Sequence, residues 1–406
     1  MQAMNPTKQN VSAASVPAKI SFRQNLLEAL STKWRVVPVL LSLALIWAIF
    51  ASQSPVFLSA RNLTNLADQI ATTSIVALGL VLVLVVAEID LSVAGLAAVC
   101  AGIVGVLVVN MDVGLSIALI IAIAIGGLYG LLQGSMIVYS GAPAFIVTLG
   151  FSLMLQGVLL ILLPAESGLV PLAGTDLQFL AAYRLPTTVS YALPTAVGLI
   201  GLAMRWNDHR QRVAYGLSSN LMRSVAIGVA IIVASLAVVA IFNAYRGVPL
   251  TVAVLAGLIA ILSYATTQTP FGVWLYAIGG NREAARRAGI PVNLMKMAAF
   301  SILGMLTALG GVVAAARVLG VSPASADQSL LLEAIAAAVI GGTSLFGGRG
   351  SVWAAILGAL VIGSIANGMF LINASTQLRL LVQGGVLVAA VIADALIARS
   401  GSSSSR

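Results

Sequence analysis

The sequence predicts an all-α, polytopic helical membrane protein with about 10–12 transmembrane helices in two related halves. Three observations lead to this fold class. Hydrophobic residues make up 60% of the 406-residue chain and charged residues only 8%, whereas soluble domains carry about 25% charged residues. The hydrophobic residues are collected in runs of about 20, which is the length that a helix needs to cross a bilayer. Continuous runs indicate helices, because only helices and closed barrels satisfy their backbone hydrogen bonds in lipid.

Twelve hydrophobic segments, taken in chain order, are the candidate spans. They lie at residues 36–51, 69–87, 93–110, 114–137, 144–163, 190–205, 224–243, 247–267, 295–317, 330–345, 352–372 and 378–398. The segments at 190–205 and 330–345 are short, which leaves tilted or re-entrant helices as alternatives to full crossings. Four glycines of the fourth segment repeat along one helix face, a spacing typical of close helix packing, and we assign them no functional role. They are Gly126, Gly127, Gly130 and Gly134.

The distribution of Lys and Arg predicts how the chain is threaded through the membrane. If the N-terminus is cytosolic, 16 of the 21 Lys and Arg residues fall on the inner side, as the positive-inside rule requires. We therefore expect a cytosolic tail at 1–35, a transmembrane domain at 36–398 and a cytosolic tail at 399–406. The first tail is too long and too mixed in composition for a cleaved signal peptide. The net charge of +9 is thus a topology signal and does not indicate a nucleic-acid partner.

Two segments share one pattern: a hydrophobic run, a short polar or glycine-rich break, and a second hydrophobic run. They occupy residues 83–104 and 337–361. Transporters use broken spans at corresponding places in two halves to build a path near the membrane midplane. Carboxylates at membrane depth are costly, so those near the breaks need water, a partner or a function. The candidate path or gate residues are Glu88, Asp90, Ser92, Glu333, Gly341, Gly342, Thr343 and Ser344.

Structural roles are the alternatives for the acidic residues of this set. Asp90 would cap the helix that starts near Leu91, or would hold the broken segment together with Ser92. Glu333 lies at the start of the tenth segment, where a carboxylate in the first turn interacts favourably with the helix dipole. Residue type and spacing leave both interpretations open.

A polar stretch at 268–294, between the eighth and ninth segments, is expected on the cytosolic side. Within it Asn281 can cap a short helix, Glu283 lies in its first turn, and Gly289 can end it. A helix of about 10 Å is marginal on its own. It is therefore predicted to dock on a cytosolic partner through exposed alanines, and the alternative is a solvated charged connector. These alanines are Ala284, Ala285 and Ala288.

No group of residues in the sequence predicts catalysis or metal binding. The chain has one His and one Cys, which excludes a disulfide framework and metal sites built from several of these residues. None of the four Lys residues is followed by Ser or Thr, as a nucleotide-binding phosphate loop requires. We expect a protein that is not itself an enzyme.

Six short stretches of the chain are motifs of a known family. They are FLSARNLTN (57–65), AEIDLSVAG (87–95), PAFIVTLG (143–150), YAIGGNREAARRAGIPVN (276–293), AIAAAVIGGTSLFGG (334–348) and ANGM (366–369). In order and spacing they resemble the ribose/xylose/arabinose family of ABC-importer membrane permeases, over roughly residues 57–395. The extra pair of segments around 190–243 and the long N-terminal tail are most similar to the D-xylose members of that family.

The resemblance implies a multi-pass permease subunit of an ATP-driven sugar importer in a bacterial inner membrane. D-xylose is the expected sugar, and ribose or another sugar is the alternative. The implied partners are a second copy of the chain (a homodimer), a cytosolic sugar-import ATPase that holds ATP and Mg²⁺, a periplasmic sugar-binding protein and membrane lipid. This chain would bind no cofactor.

By the same resemblance, one short stretch would couple the chain to the ATPase. Its residues are Asn281, Arg282, Glu283, Ala284, Ala285 and Gly289. Two functions of other classes are rivals. An ion-driven secondary transporter would also have two halves with midplane carboxylates but would need no ATPase. A channel would move solute only downhill.

Overall fold

The computed structural model describes residues 36–215 and 221–403. This part of the chain is almost entirely helical, with fifteen α-helices, one 3₁₀ turn and two strands of two residues each. The polytopic helical fold predicted from the sequence is confirmed. The predicted tail at 1–35 and the last three residues of the chain lie outside the described residues, as do residues 216–220 of a predicted inner loop.

The helices follow one another along the chain with short connections. In chain order the elements are α1 Val36–Gln53, α2 Ala60–Val85, α3 Val93–Val109, α4 Leu115–Ser140, α5 Ala144–Leu162, β1 Val170–Pro171, α6 Leu177–Ala182, α7 Thr187–Ala214, α8 Leu221–Asn243, α9 Leu250–Gln268, α10 Pro270–Gly280, α11 Arg282–Arg287, α12 Val292–Val318, β2 Gly320–Val321, the 3₁₀ turn Pro323–Ala326, α13 Ser329–Ile340, α14 Val352–Leu371 and α15 Thr376–Ser403.

Each of the twelve predicted spans coincides with one of these helices. Nine helical stretches in the described ranges are long and hydrophobic enough to cross a membrane, and α1, α3 and α15 contain shorter hydrophobic stretches. The short segment predicted at 190–205 is part of the 28-residue helix α7. The segment predicted at 330–345 is less helical than expected, because α13 ends at Ile340 and Gly342 then adopts a positive φ of +96°.

Helix α2 begins at Ala60, well before the start at residue 69 that hydropathy indicates. Ser59 caps it, since the Ser59 side chain accepts a hydrogen bond from the backbone N–H of Asn62 at 3.2 Å. The first three turns carry polar side chains that are buried in the protein, among them Asn62 and Asp68. Hydropathy cannot distinguish a polar helix buried in protein from a solvated loop, which explains the difference.

Helices α2 and α12 form the centre of the bundle. The hydrophobic part of α2 is almost completely buried, and α12 packs against α2, α3 and α4. The backbones of α4 and α12 touch, because a Cβ atom on Gly130 would collide with the carbonyl oxygen of Phe300 and one on Gly126 with that of Gly304. All four glycines of α4 that the sequence assigned to packing face α12, so that prediction is confirmed.

Polar contacts of Asp68 hold the segment before α7 against the core. The Asp68 carboxylate of α2 accepts hydrogen bonds from Arg184, at 3.3 Å, and from the Thr251 hydroxyl of α9. Nearby, β1 pairs with β2 in antiparallel register, with Val170 opposite Val321. Both contacts fasten the long connection between α5 and α7 across one end of the bundle.

Helices α7 and α8, the extra pair noted in the sequence, pack mainly against each other. A Cβ atom on Gly198 would meet the Ile232 side chain, and one on Gly228 would meet Leu202. Much of their remaining surface consists of exposed hydrophobic side chains. Such a surface suits helices that face lipid.

Candidate functional site

The polar stretch at 268–294, which includes the predicted coupling residues 281–289, contains two helices, α10 and α11, joined at Asn281. The Asn281 side chain accepts a hydrogen bond from the backbone N–H of Ala284 at 2.9 Å, as predicted for an N-cap. Gly289 follows α11 in the left-handed region, at φ +81°. Glu283 and Arg287 form an ion pair at 3.4 Å, one turn apart on the exposed side. The short helix that the sequence predicts is therefore present. A second helix, α10, precedes it, so most of the stretch is helical.

Helix α11 exposes one face and buries the other. Arg282, Glu283 and Ala284 are exposed, but Ala285 is only 4% exposed and belongs to the central hydrophobic core. The expectation that Ala285 is available for docking is therefore wrong. A helix of six residues is stable only when one face packs on its own domain, and here Ala285 supplies that face.

The first break, residues 86–92, is held by a buried hydrogen-bond network. Asp90 Oδ1 accepts hydrogen bonds from the Ser92 backbone N–H at 2.8 Å and from the Ser92 hydroxyl at 2.6 Å. The Gln133 amide of α4 donates to the same hydroxyl at 2.9 Å. Asp90 is not the N-cap of α3, since that position belongs to Ser92. The alternative in which Asp90 holds the turn together with Ser92 agrees with the geometry.

A buried ion pair fixes the other acidic residue of this break. Lys296 of α12 donates to Glu88 Oε1, and the two side chains are 4% and 16% exposed. In the sequence Lys296 is one of the positive charges expected on the inner side, and nothing there identifies it as the partner of Glu88. Lys296 lies one turn into the helix that follows α11, so this pair links the first break to the predicted coupling stretch.

The second break follows α13 and carries the predicted glycines. A Cβ atom on Gly341 would collide with the Ala354 carbonyl oxygen, so only glycine permits this approach of α13 to α14. The Ser344 hydroxyl donates to Asp394 of α15 at 3.2 Å. The Thr343 hydroxyl is buried and has no hydrogen-bond partner among the described residues.

The two breaks meet each other and the end of α10, and we name this place the break junction: residues 85–92, 279–280 and 341–350. The Gly348 backbone N–H donates to the Val85 carbonyl at 2.8 Å. A Cβ atom on Gly279 would collide with both Val85 and Gly348. The Tyr276 hydroxyl of α10 donates to the Gly350 carbonyl at 2.9 Å. The structure thus brings together the two breaks, which sequence position separates by some 250 residues.

Glu333 does not belong to the break junction. It is the fifth residue of α13 and lies about 12 Å along that helix from Gly341. It also lies beyond the first turn, so the alternative of a dipole interaction there is wrong, because α13 begins at Ser329. Glu333 instead accepts a hydrogen bond from the Thr73 hydroxyl of α2 at 3.2 Å.

Glu333 lines a polar cavity of about 680 Å³ near the beginning of α2, the end opposite the break junction. Ten of its fifteen lining residues are polar, which is unusual in so hydrophobic a chain. On its wall, Asn62 of α2 and Asn367 of α14 exchange amide hydrogen bonds at 2.8 and 3.1 Å. Two motifs of the sequence, FLSARNLTN and ANGM, therefore converge here, together with Glu333, which directly precedes a third motif, AIAAAVIGGTSLFGG.

Several residues of these sites are not among the predicted site residues. Gln133, Lys296 and Asp394 each contact a predicted gate residue from a distant helix. Polarity within a hydrophobic segment marks Gln133 and Asp394 as unusual, but nothing in the sequence indicates their partners. Within residues 36–215 and 221–403, no group of three or more His, Cys, Asp or Glu residues is arranged to hold a metal ion.

Comparison with known proteins agrees with this architecture. Residues 62–391 match the family described as the permease component of branched-chain amino acid transport systems. The chain belongs to this permease family. As a member with several membrane-spanning helices, the permease is a multi-pass membrane transport subunit and not an enzyme.

Individual relatives cover nearly the whole permease. It is 35% identical to the xylose transport system permease protein of Haemophilus influenzae, over 90% of this chain and 97% of the relative. It is 37% identical to the protein of the same name from Escherichia coli (strain K12), over 84% of this chain and 87% of the relative. The ribose import permease protein of Escherichia coli (strain K12) is 29% identical, over 87% of this chain and 92% of the relative. No solved structure matches the chain.

Proposed function

We propose that the permease is the membrane-spanning subunit of an ATP-driven importer of a monosaccharide, D-xylose. The main support is the similarity to xylose transport system permease proteins over 84–90% of this chain. Identity to the ribose import permease protein is lower, at 29%, which makes ribose the alternative cargo. ATP and Mg²⁺ would be held by a separate cytosolic ATPase, and this chain would bind no cofactor.

The importer would contain two copies of the permease in a bacterial inner membrane, surrounded by lipid. Both termini and residues 268–294 would face the cytosol, and a periplasmic binding protein would deliver sugar to the opposite side. The distribution of Lys and Arg along the sequence supports this orientation.

In this proposal the exposed face of α11 is the coupling surface for the ATPase. That surface consists of Asn281, Arg282, Glu283, Ala284 and Gly289, while Ala285 anchors α11 to the permease core. Because Ala285 is held by the core, a displacement of α11 would be passed on to the helices beneath it. The nearest path is through Gly279, whose backbone lies against Val85 and Gly348 at the break junction.

The break junction would be the cytosolic gate. Asp90 and Ser92 would keep the first break in shape, and Glu88 would tie it to α12 through Lys296. Gly341 and Gly342 would let the second break change its backbone angles, and Ser344 would anchor it to α15. The Thr343 hydroxyl, which is buried without a hydrogen-bond partner in the described part of the chain, would meet a passing sugar once the break junction opens.

Accumulation of labelled D-xylose in proteoliposomes tests the proposal. The permease is reconstituted with its ATPase, with and without ATP inside and binding protein outside. Accumulation that requires both is expected. Uptake that ignores ATP and collapses when an ionophore removes the ion gradient would establish a secondary transporter instead. ATP-dependent accumulation of ribose but not of D-xylose would change the cargo alone, and strictly downhill movement would indicate a channel.

Glu283→Lys tests the coupling surface in the same assay. We expect loss of ATP-dependent uptake with normal membrane insertion, because a reversed charge on an exposed helix face disturbs docking and leaves the core intact. Arg210→Glu, a reversal at an exposed residue near the end of α7 that is expected on the same cytosolic side but outside the coupling stretch, is the matched control and should transport normally. Normal uptake by Glu283→Lys would remove the coupling role from α11.

A further inference from the structure

The polar cavity beside Glu333 contains unused hydrogen-bonding groups. Along α2, Arg61, Asn65, Gln69 and Thr73 recur every four residues and therefore form one stripe on the helix. Thr73 donates to Glu333, so the stripe leads from the rim of the cavity to this buried contact. The amides of Gln69 and of Gln383, on α15, line the cavity and have no hydrogen-bond partner among the described residues.

The side chains of the cavity suit a neutral, hydroxyl-rich molecule. An amide offers both donors and acceptors, which matches a hydroxyl group that donates and accepts. The ring of Phe370 lines the same cavity and is 66% exposed, so it presents an apolar surface of the kind that can cover the C–H face of a sugar ring. The volume of about 680 Å³ lies within the range of roughly 300–1,000 Å³ that small-molecule sites occupy.

The charged side chains of the cavity disfavour a cationic ligand, and one of them, Arg379, is engaged by other residues of the protein. Three arginines and one glutamate line it, so a cationic ligand would be repelled. The Arg379 guanidinium already lies over the Phe370 ring, 5.9 Å from its centroid, and donates to Thr376 at 3.0 Å. Glu333 offsets one of the three positive charges, so the lining keeps a net positive charge, and the experiment below therefore compares neutral D-xylose with the anion D-xylonate.

We propose that this cavity is a transit subsite for a neutral monosaccharide, with Gln69 and Gln383 hydrogen-bonding its hydroxyls. The inference rests on the proposed function and adds to it a place inside a single permease chain where the sugar is held. The cavity lies near the beginning of α2, and Gln69 is about 24 Å along the helix from Val85 at the break junction. Because the cavity and the break junction lie at opposite ends of the bundle, sugar would occupy the cavity before the break junction opens.

Thiol protection tests the subsite directly. Cys100 is the single cysteine, so Leu380→Cys, at a lining position that leaves both amides in place, carries one reactive thiol in a Cys100→Ala background. In proteoliposomes with the ATPase but without binding protein, D-xylose should slow its reaction with a membrane-impermeant thiol reagent, and betaine of equal osmolality should not. Met111→Cys, an exposed loop position that does not line the cavity, should react equally with and without sugar. Absence of protection, or stronger protection by the anion D-xylonate, would overturn the inference.

Uptake separates this inference from the proposed function. Gln69→Leu and Gln383→Leu keep side-chain size and remove the amide, so each should lower the maximal rate of D-xylose uptake about three- to tenfold. Unchanged thermal stability would exclude a folding defect. If the unaltered permease accumulates D-xylose but the leucine variants do so equally well, the subsite is refuted and the importer stands. If the unaltered permease accumulates no sugar with ATP and binding protein, the proposed function fails and the subsite with it.

Discussion

Removing the Lys296 ammonium group should destabilise the permease far more than removing an exposed charge. Lys296 and Glu88 form an ion pair whose side chains are 4% and 16% exposed. Loss of one partner leaves the other charge buried and unpaired, which costs about 3–5 kcal/mol. At roughly 2 °C per kcal/mol for a large domain, Lys296→Met should lower Tm by roughly 6–10 °C.

The single buried cysteine provides the assay. Cys100 is fully buried, so a dye that fluoresces on reaction with thiols reports thermal unfolding of the purified protein. The matched control is Arg287→Met, which breaks an ion pair whose side chains are 80% and 61% exposed and should change Tm little. Combining Lys296→Met with Glu88→Gln should restore most of the loss, because neither charge is then left alone. A Tm for Lys296→Met equal to that of Arg287→Met, or additive losses in the double variant, would refute the reasoning.

Three further predictions use the close contacts and the buried network. Gly279→Ala should uncouple ATP hydrolysis from uptake, because the added Cβ collides with Val85, whereas the adjacent Gly280→Ala meets open space and should transport normally. Gly130→Leu should lower Tm by several degrees because the helix backbones must separate, and Gly150→Leu, which has nothing within 4 Å, should not. Asp90→Ala should lower the free energy of unfolding by about 1–3 kcal/mol, because two buried donors lose their acceptor. The thiol-dye assay reports both losses of stability as a lower Tm. A Tm unchanged from that of the unaltered permease would contradict each of the last two predictions.

The helices and the capped coupling helix were predictable because their signals are local. A hydrophobic run reports its own length, and Asn281 and Gly289 report a helix start and stop within nine residues. The same locality explains the errors. The polar start of α2 and the buried face of α11 depend on which neighbours cover Asp68 and Ala285, and no window of sequence contains those neighbours.

The pairings within the candidate site could not be predicted for a related reason. Glu88 and Lys296 are 208 residues apart in sequence, and Asn62 and Asn367 are 305 apart. Hydropathy and motif spacing indicate that each polar residue needs a partner in lipid, but they do not identify it. Glu333 is an example: its nearness in sequence predicts a place beside the second break, yet its helix carries it towards the opposite end of the bundle.

The glycine contact between α4 and α12 restricts how the permease can move. At Gly126 and Gly130 the carbonyl groups of one helix rest directly on the backbone of the other, so no side chain lies between the helices at these two points to absorb sliding or rotation. These two helices must travel as one rigid body through any transport cycle. The rearrangement that exposes the sugar alternately to the two sides therefore has to occur around this unit, among the helices that carry the breaks, while the α4–α12 pair serves as the fixed frame.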